Sequence, residues 1–260
     1  MKLKLSVVLA IVACFLVGCS SKTPDIADLY KDQTEAQIYN AGVYAMKKAD
    51  YDEAVKRFAV VNVRYPFGPY TRQSQLNTIY SYDKAGNSAL ALAAADRYLR
   101  LYPTGPDADY AYYMRGRIYF AENHSFFDRH FDVDFAKRDT TGMKHAYHDF
   151  SVLVHSFPKS PYAADARQRM VYIRNALARH ELEVAQFYYG YQSYVAAANR
   201  ANNVVQHYQG APSVPDALVV MVRSYRKLGL MKESNDALQV LKLNYLNSNA
   251  YKKFEISEKK

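Results

Sequence analysis

The chain has 260 residues, and half of them are hydrophobic, which is enough for one large domain or for an elongated array of repeats. Its formal net charge of +9 favours an acidic partner or an anionic membrane surface, or else reflects a solvated surface. The two cysteines are Cys14 and Cys19, which excludes a disulfide, a thiolate nucleophile and a cysteine metal site beyond residue 19.

The N-terminal residues carry a targeting signal. Lys2 and Lys4 precede an apolar core at residues 5–17, which is too short for a stable transmembrane helix. Gly18 and Cys19 then complete a pattern that resembles the lipobox of bacterial lipoproteins, in which the peptide is cleaved before the cysteine and the thiol is lipidated. The alternative is an ordinary secretory leader that contains a cysteine by chance.

A lipobox implies a lipid anchor at Cys19, without any spanning helix. Ser20 follows that cysteine, in place of the aspartate that resembles an inner-membrane retention signal. The expected location is therefore the periplasmic face of the outer membrane. We predict a signal peptide at residues 1–18 and a lipidated tether at residues 19–32.

Five sets of residues with a common spacing follow the tether. In the first set Asp50 is a candidate N-cap, Ala54 begins a helical face, and Pro66 ends the helix. Each set begins with a small residue, which lets helices approach closely, and ends with an aromatic one. The sets are Ala54, Phe58, Val61 and Tyr65; Ala91, Ala95, Tyr98 and Tyr102; Ala146, Phe150, Leu153 and Phe157; Ala197, Ala201, Val204 and Tyr208; and Ser234, Leu238, Leu241 and Tyr245.

A further helix is expected before each set, marked by two residues three positions apart. Two helices per unit with a shared apolar face resemble the tetratricopeptide repeat, although the first-helix tryptophan of that repeat is missing. We therefore predict an all-α fold, a tetratricopeptide-like superhelix of about five helix pairs that are stabilised by stacking. The marking pairs are Gly42 and Ala45, Ile79 and Tyr82, Gly116 and Tyr119, Ala185 and Tyr188, and Val222 and Tyr225.

Unequal intervals between the sets predict an insertion and a long helix. The first residues of the sets lie 37, 55, 51 and 37 positions apart. The interval of 55 contains an insertion loop at residues 123–142. In the interval of 51, residues 162–189 contain no glycine or proline, which predicts one long central helix with about four extra turns.

These elements define the expected organisation of the chain. Residues 33–122 hold repeats 1 and 2 and the first helix of repeat 3, and residues 143–250 hold the remainder of repeats 3–5. Residues 251–260 form a charged tail, in which we expect residues 252–260 to fray, whereas Met231 to Tyr251 should close the array.

Motifs for catalysis are few. There is no glycine-rich phosphate loop, no G-x-S-x-G and no H-E-x-x-H, so we expect neither a cofactor nor an enzymatic activity. The best candidate for a metal site is a set of histidines and aspartates around the insertion, but surface and loop-packing histidines are the favoured interpretation, because the spacings match no known ligand pattern. The set comprises His124, His130, His145, His148, Asp128, Asp132 and Asp134.

Two aromatic residues in the turn after the first set fall outside the repeated spacing. Phe67 and Tyr70 lie where a repeat turn meets the next helix, and helix stacking does not require them there. We predict that both are exposed and contact a bound peptide.

A family resemblance covers essentially the whole chain. Residues 64–70, from Arg64 to Tyr70, look like the hallmark of the BamD family of outer-membrane assembly lipoproteins, and the match is only partial in the insertion loop. Further matches to the pattern of that family are Gln75-Leu76, Ile79-Tyr80, Asp109-Tyr110, Met114-Arg115-Gly116, Arg138-Asp139, Asp149-Phe150-Ser151, Val195-Ala196 and Asn199-Arg200.

The resemblance implies a scaffold that helps to insert β-barrel proteins into the outer membrane. In that family the C-terminal repeats dock on the periplasmic domains of the barrel-forming subunit BamA, and other lipoproteins join the complex. The N-terminal repeats are linked to recognition of the C-terminal strand of unfolded β-barrel substrates. No nucleic-acid partner is expected.

Arg200 is the residue that the resemblance assigns to partner binding. It matches a family arginine that pairs with a carboxylate on BamA. Its position three residues after Ala197 predicts exposure, and the alternative is a solvated arginine without a partner. Two other functions compete: a periplasmic repeat lipoprotein that coordinates cell-wall synthesis, and a metal-dependent hydrolase that uses the histidine set.

Overall fold

The computed structural model describes residues 25–122 and 139–259, and these residues are helical with no β-strand among them. The chain divides into two compact units between Ser74 and Gln75. The helices of the described residues, in chain order, are α1 (Glu35–Lys47), α2 (Tyr51–Arg64), α3 (Thr71–Lys84), α4 (Ser88–Leu101), α5 (Ala108–Glu122), α6 (Thr141–Ser156), α7 (Ala163–Gly190), α8 (Tyr194–His207), α9 (Val214–Lys227), α10 (Met231–Tyr245) and α11 (Asn249–Glu258).

The first unit is built on α1 and α2, which pack against each other. Asp50 caps α2 as predicted, because its Oδ1 accepts the backbone N–H of Glu53 at 3.2 Å. Between the helices, Gly42 faces the ring of Phe58. A Cβ on residue 42 would lie 2.7 Å from that ring, so the close approach of the helices requires glycine.

The predicted repeat spacing is confirmed in the cores of both units. The first three residues of each of the first four sets are buried. The fourth residue is the C-cap of its helix in each case, with φ between −121° and −135° and an N–H bonded to the carbonyl four residues earlier. The spacing therefore encodes the same buried face and the same helix end four times. These C-caps are Tyr65, Tyr102, Phe157 and Tyr208.

The fifth set follows the spacing less closely. Ser234 is buried in the place of an alanine, and its hydroxyl donates to the carbonyl of Val222 at 3.1 Å, which satisfies the buried polar group. Leu238 is half-buried, whereas its neighbour Ala237 is buried. The helix α10 also includes Tyr245 instead of ending before it.

The long central helix is confirmed as α7, which has 28 residues. Its N-terminal half packs in a core with α6, where Ile173 is buried, and its C-terminal half packs in a core with α8 and α9, where Leu182 is buried. One helix therefore serves two successive repeats. Among the described residues, a helix with both the length and the apolar character of a membrane span does not occur.

The C-terminal tail is helical, although we expected it to fray. Helix α11 occupies Asn249–Glu258, and Ser248 caps it by accepting the N–H of Tyr251 at 3.1 Å. Tyr251 and Phe254 are buried on one face of this helix. The expected fraying of residues 252–260 is wrong because the burial of Phe254, three positions after Tyr251, holds this charged helix in place.

The segment before α1 also differs from the predicted tether. Ile26–Asp28 form a 3-10 turn, and Leu29 and Tyr30 pack against the first unit, so residues 25–32 belong to the folded domain. The signal peptide, Cys19 and most of the insertion loop (residues 123–138) lie outside the described residues. Helix α6 begins at Thr141, so the last two residues of the predicted loop, 141 and 142, are already helical.

Candidate partner-binding surfaces

The turn after α2 is held by hydrogen bonds within its own backbone. Pro66 lacks an N–H and ends the helix after the C-cap Tyr65. The Tyr65 carbonyl accepts the N–H of Gly68 at 2.9 Å and also the hydroxyl of Thr71. A short, well-bonded turn therefore carries Phe67 at a fixed place between two helices.

Glu35, at the start of α1, closes this turn from the other side. Its Oε1 accepts the backbone N–H of Tyr70 at 3.0 Å. A Cβ on Gly68 would lie 2.2 Å from the same oxygen, so glycine is needed for the carboxylate to reach the turn. This contact could not be predicted from sequence spacing, because Glu35 and Tyr70 are 35 positions apart in the chain.

The two aromatic residues of the turn differ in exposure. Phe67 is 100% exposed, as predicted. The prediction that Tyr70 is exposed is wrong: it is half-buried, and its ring stacks on that of Tyr39 with 4.7 Å between centroids. Tyr39 lies on α1, and two stacked rings gain stability beyond the area they bury. Tyr70 therefore anchors the turn, and Phe67 alone presents an unpacked ring.

Arg64, the first residue of the family hallmark, has a structural role. Its Nη1 donates to the carbonyls of Leu29 and Tyr30 at 3.2 and 3.1 Å. Nη2 reaches the carbonyl of Lys31 at 3.4 Å. These bonds fix the segment that leads into α1 against the end of α2.

Tyr30 strengthens the same attachment. Its hydroxyl donates to Glu53 at 2.8 Å, and the guanidinium of Arg57 lies 4.2 Å from its ring centroid. Burial and then the neighbouring carboxylate of Glu53 raise the pKa of the Tyr30 phenol above its ordinary value. The phenol therefore remains a hydrogen-bond donor at neutral pH.

Arg200 lies on α8 in the second unit, and it is exposed as predicted. Its Nη1 donates to Glu181 of α7 at 3.1 Å, so it is paired within the chain rather than solvated alone. This ion pair joins a well-exposed arginine to a largely buried carboxylate.

An apolar surface continues beside Arg200 along α8. Val195 is exposed, Ala196 lies one helical turn before Arg200, and Asn199 directly precedes it. Together with Leu228, these three residues line a shallow depression of about 480 Å³. A carboxylate that meets Arg200 would thus have apolar surface next to it.

Another family match, Arg115, is a structural residue. Its Nε and Nη2 bind Asp149 at 2.8 and 2.6 Å, and its Nη1 binds Asp96 at 2.6 Å. Burial alone would lower the pKa of Arg115, but the two carboxylates raise it above its ordinary value. This ion pair network joins α4, α5 and α6.

The described part of the histidine set forms no metal site. His145 stacks on Tyr119 with 5.0 Å between centroids, and His148 is exposed on α6. Within residues 25–122 and 139–259, no three histidine, cysteine, aspartate or glutamate side chains lie close enough together to hold a metal ion. The remaining members lie outside the described residues: His124, His130, Asp128, Asp132 and Asp134.

Comparison with known proteins finds similarity along nearly the whole chain. The model of the YfiO family, described as an outer membrane lipoprotein, matches residues 31–241. Outer membrane protein assembly factor BamD of Neisseria meningitidis is 37% identical over 246 residues, which cover 95% of this chain and 91% of that protein. The proteins of the same name from Haemophilus influenzae and Vibrio cholerae are 34% and 35% identical, and cover 92% and 89% of this chain and 90% and 94% of their own lengths.

Proposed function

The chain belongs to the BamD family of outer membrane lipoproteins, and we propose that it is a non-enzymatic scaffold of the β-barrel assembly complex. In this role it helps to recognise β-barrel proteins and to insert them into the outer membrane. The observation that carries the proposal is full-length similarity to relatives that are named outer membrane protein assembly factors. That shared name favours barrel assembly over an adaptor role in cell-wall synthesis.

The partner-binding surface of this scaffold is the face of α8 around Arg200. We assign it to the periplasmic domains of the barrel-forming subunit BamA, with Arg200 paired to a carboxylate of BamA. The exposure of Arg200 and the apolar depression beside it support this assignment, since interfaces combine an apolar centre with a polar rim. Other lipoproteins of the complex are further proposed partners of the chain.

The substrate-binding position is the turn that carries Phe67. A fully exposed ring on a short, well-bonded turn is suited to contact the C-terminal strand of an unfolded β-barrel substrate. Lipidation at Cys19 would hold the scaffold at the periplasmic face of the outer membrane. Asp25, the first described residue, lies six positions after Cys19, so it would lie within about 22 Å of the lipidated cysteine.

Charge reversal at Arg200 tests the proposed function. We expect Arg200→Glu to reduce co-purification of BamA with the chain, because a carboxylate at this position would repel the partner carboxylate. Arg179→Glu is the matched control, since Arg179 is an exposed arginine of α7. Unchanged recovery with Arg200→Glu, or an equal loss with Arg179→Glu, would count against the assignment.

A further inference from the structure

The arginines of the second unit differ in how much of the guanidinium is already engaged. Arg115 uses Nε, Nη1 and Nη2, and its side chain is 17% exposed. Arg200 donates from Nη1 alone, and its side chain is 48% exposed. Within residues 25–122 and 139–259, Nε and Nη2 of Arg200 have no hydrogen-bond acceptor.

The unused edge of Arg200 is the one that carboxylates prefer. Nε and Nη2 of an arginine present two parallel N–H groups, which match the two oxygens of one carboxylate. Arg115 offers this same edge to Asp149, which occupies it at 2.8 and 2.6 Å. On Arg200 the edge is available to a carboxylate from outside the chain.

Glu181 is placed to hold Arg200 without occupying that edge. Its side chain is only 12% exposed and lies in the half of α7 that packs with α8. Burial and then the charge of Glu181 raise the pKa of the Tyr208 phenol above its ordinary value. A largely buried carboxylate is screened less by water and salt than an exposed one, so it restrains its partner more strongly.

We infer that Glu181 is a positioning residue for partner binding: it holds Nη1 of Arg200 and thereby presents the Nε–Nη2 edge to a carboxylate of the docking partner. This inference rests on the function proposed above. Glu181 does not have to release Arg200 when the partner binds, because different nitrogens serve the two carboxylates. A long side chain that is already oriented loses less conformational entropy on binding.

The test measures the affinity of the full chain in detergent for the purified periplasmic domains of BamA. We expect Glu181→Ala to weaken binding about fivefold to tenfold, the entropic effect of immobilising one long side chain on binding. Glu181→Gln should stay within about twofold of the wild type, because its amide oxygen still accepts from Nη1. The double variant with Arg200→Ala should bind no more weakly than Arg200→Ala alone, because Glu181 acts through Arg200.

Thermal melting separates positioning from folding. Glu181→Ala and Glu181→Gln should melt close to the wild type, since the side chain of Arg200 is 48% exposed and water can replace its lost partner. If Glu181→Ala destabilises the chain, Glu181→Asp keeps the charge but shortens the reach to Nη1, and it should weaken binding in the same direction.

Three results would overturn the inference, and they are distinguishable. Tighter binding by both Glu181→Ala and Glu181→Gln would show that Glu181 competes with the partner. Wild-type affinity of Glu181→Ala, in an assay where Arg200→Ala binds weakly, would show that the orientation of Arg200 does not matter. Wild-type affinity of Arg200→Ala would instead refute the proposed role of Arg200 itself, and the role of Glu181 would fall with it.

Discussion

Phe67 and Tyr70 lie in the same turn, yet the residues around them give them different roles. Tyr70 stacks on Tyr39, and its N–H is held by Glu35, so its removal would loosen the first unit. Phe67 is fully exposed in the part of the chain that the structure describes, and single exposed apolar side chains are common on protein surfaces. A binding measurement is therefore needed to show that Phe67 contacts a peptide.

The expected result is a loss of binding without a loss of stability. Phe67→Ala should weaken binding of a peptide from the C-terminal strand of an outer-membrane β-barrel protein by about tenfold, while the melting temperature stays unchanged. Fluorescence anisotropy and thermal melting measure the two quantities. Tyr44→Ala is the control, since Tyr44 is an exposed aromatic residue of the same unit. An equal loss in the control, or a large drop in melting temperature for Phe67→Ala, would contradict the proposal.

The ion pair network of Arg115 leads to the opposite expectation, a loss of stability. Asp149→Ala would leave a largely buried guanidinium with Asp96 as its remaining partner. We expect the free energy of unfolding to fall by about 3 kcal/mol, because the largely buried guanidinium loses two of its three hydrogen bonds and its more buried carboxylate partner. Urea denaturation checks this value. Glu255→Ala, which removes an exposed pair with Lys259, should cost less than about 0.5 kcal/mol, and similar losses in both variants would refute the distinction.

Residue-level contacts were the least predictable part of the molecule. The exposure of Phe67 and Arg200 followed from their offsets relative to the buried helix face. The attachment of Glu35 to Tyr70 and of Arg64 to Leu29 did not, because each joins positions 35 apart in the chain. The spacing of residues within one helix can be recognised in a single sequence, but the pairing of polar groups between helices cannot.

At the scale of the elements, periodic spacing predicted most of the fold. A small residue followed by apolar and aromatic ones at fixed offsets gave the buried face and the C-cap of α2, α4, α6 and α8. The absence of glycine and proline gave α7. Helix α11 was not predicted, because two buried aromatic residues give too little periodic signal to outweigh the many charges of this segment.

Helix α11 should depend on one of those aromatic residues. Phe254 is buried on the helix and lies 5.7 and 5.4 Å from the guanidinium carbons of Arg223 and Arg226, measured to its ring centroid. A helix of ten residues is marginal by itself, so Phe254→Ala should release it from the second unit. Hydrogen exchange of the α11 amides should become markedly faster. Ile256→Ala, at an exposed position of the same helix, should leave exchange unchanged, and equal protection in both variants would contradict this account.

For the whole molecule, the net charge of +9 now has a more specific interpretation. Many of the cations serve contacts inside the chain, as Arg64, Arg115 and Arg226 show. Net charge alone therefore does not identify the partner, and the proposed pairing of Arg200 with a carboxylate of BamA needs its own test. The same fold carries many functions, so a direct recovery of the partner decides the matter.

The most direct test is gentle affinity purification of the tagged full chain from outer membranes. If the chain is a scaffold of barrel assembly, a β-barrel protein with periplasmic domains should be recovered in an amount comparable to the chain, and Arg200→Glu should reduce that amount. Recovery of the chain without such a barrel protein, or with enzymes of cell-wall synthesis in its place, would contradict the proposed function.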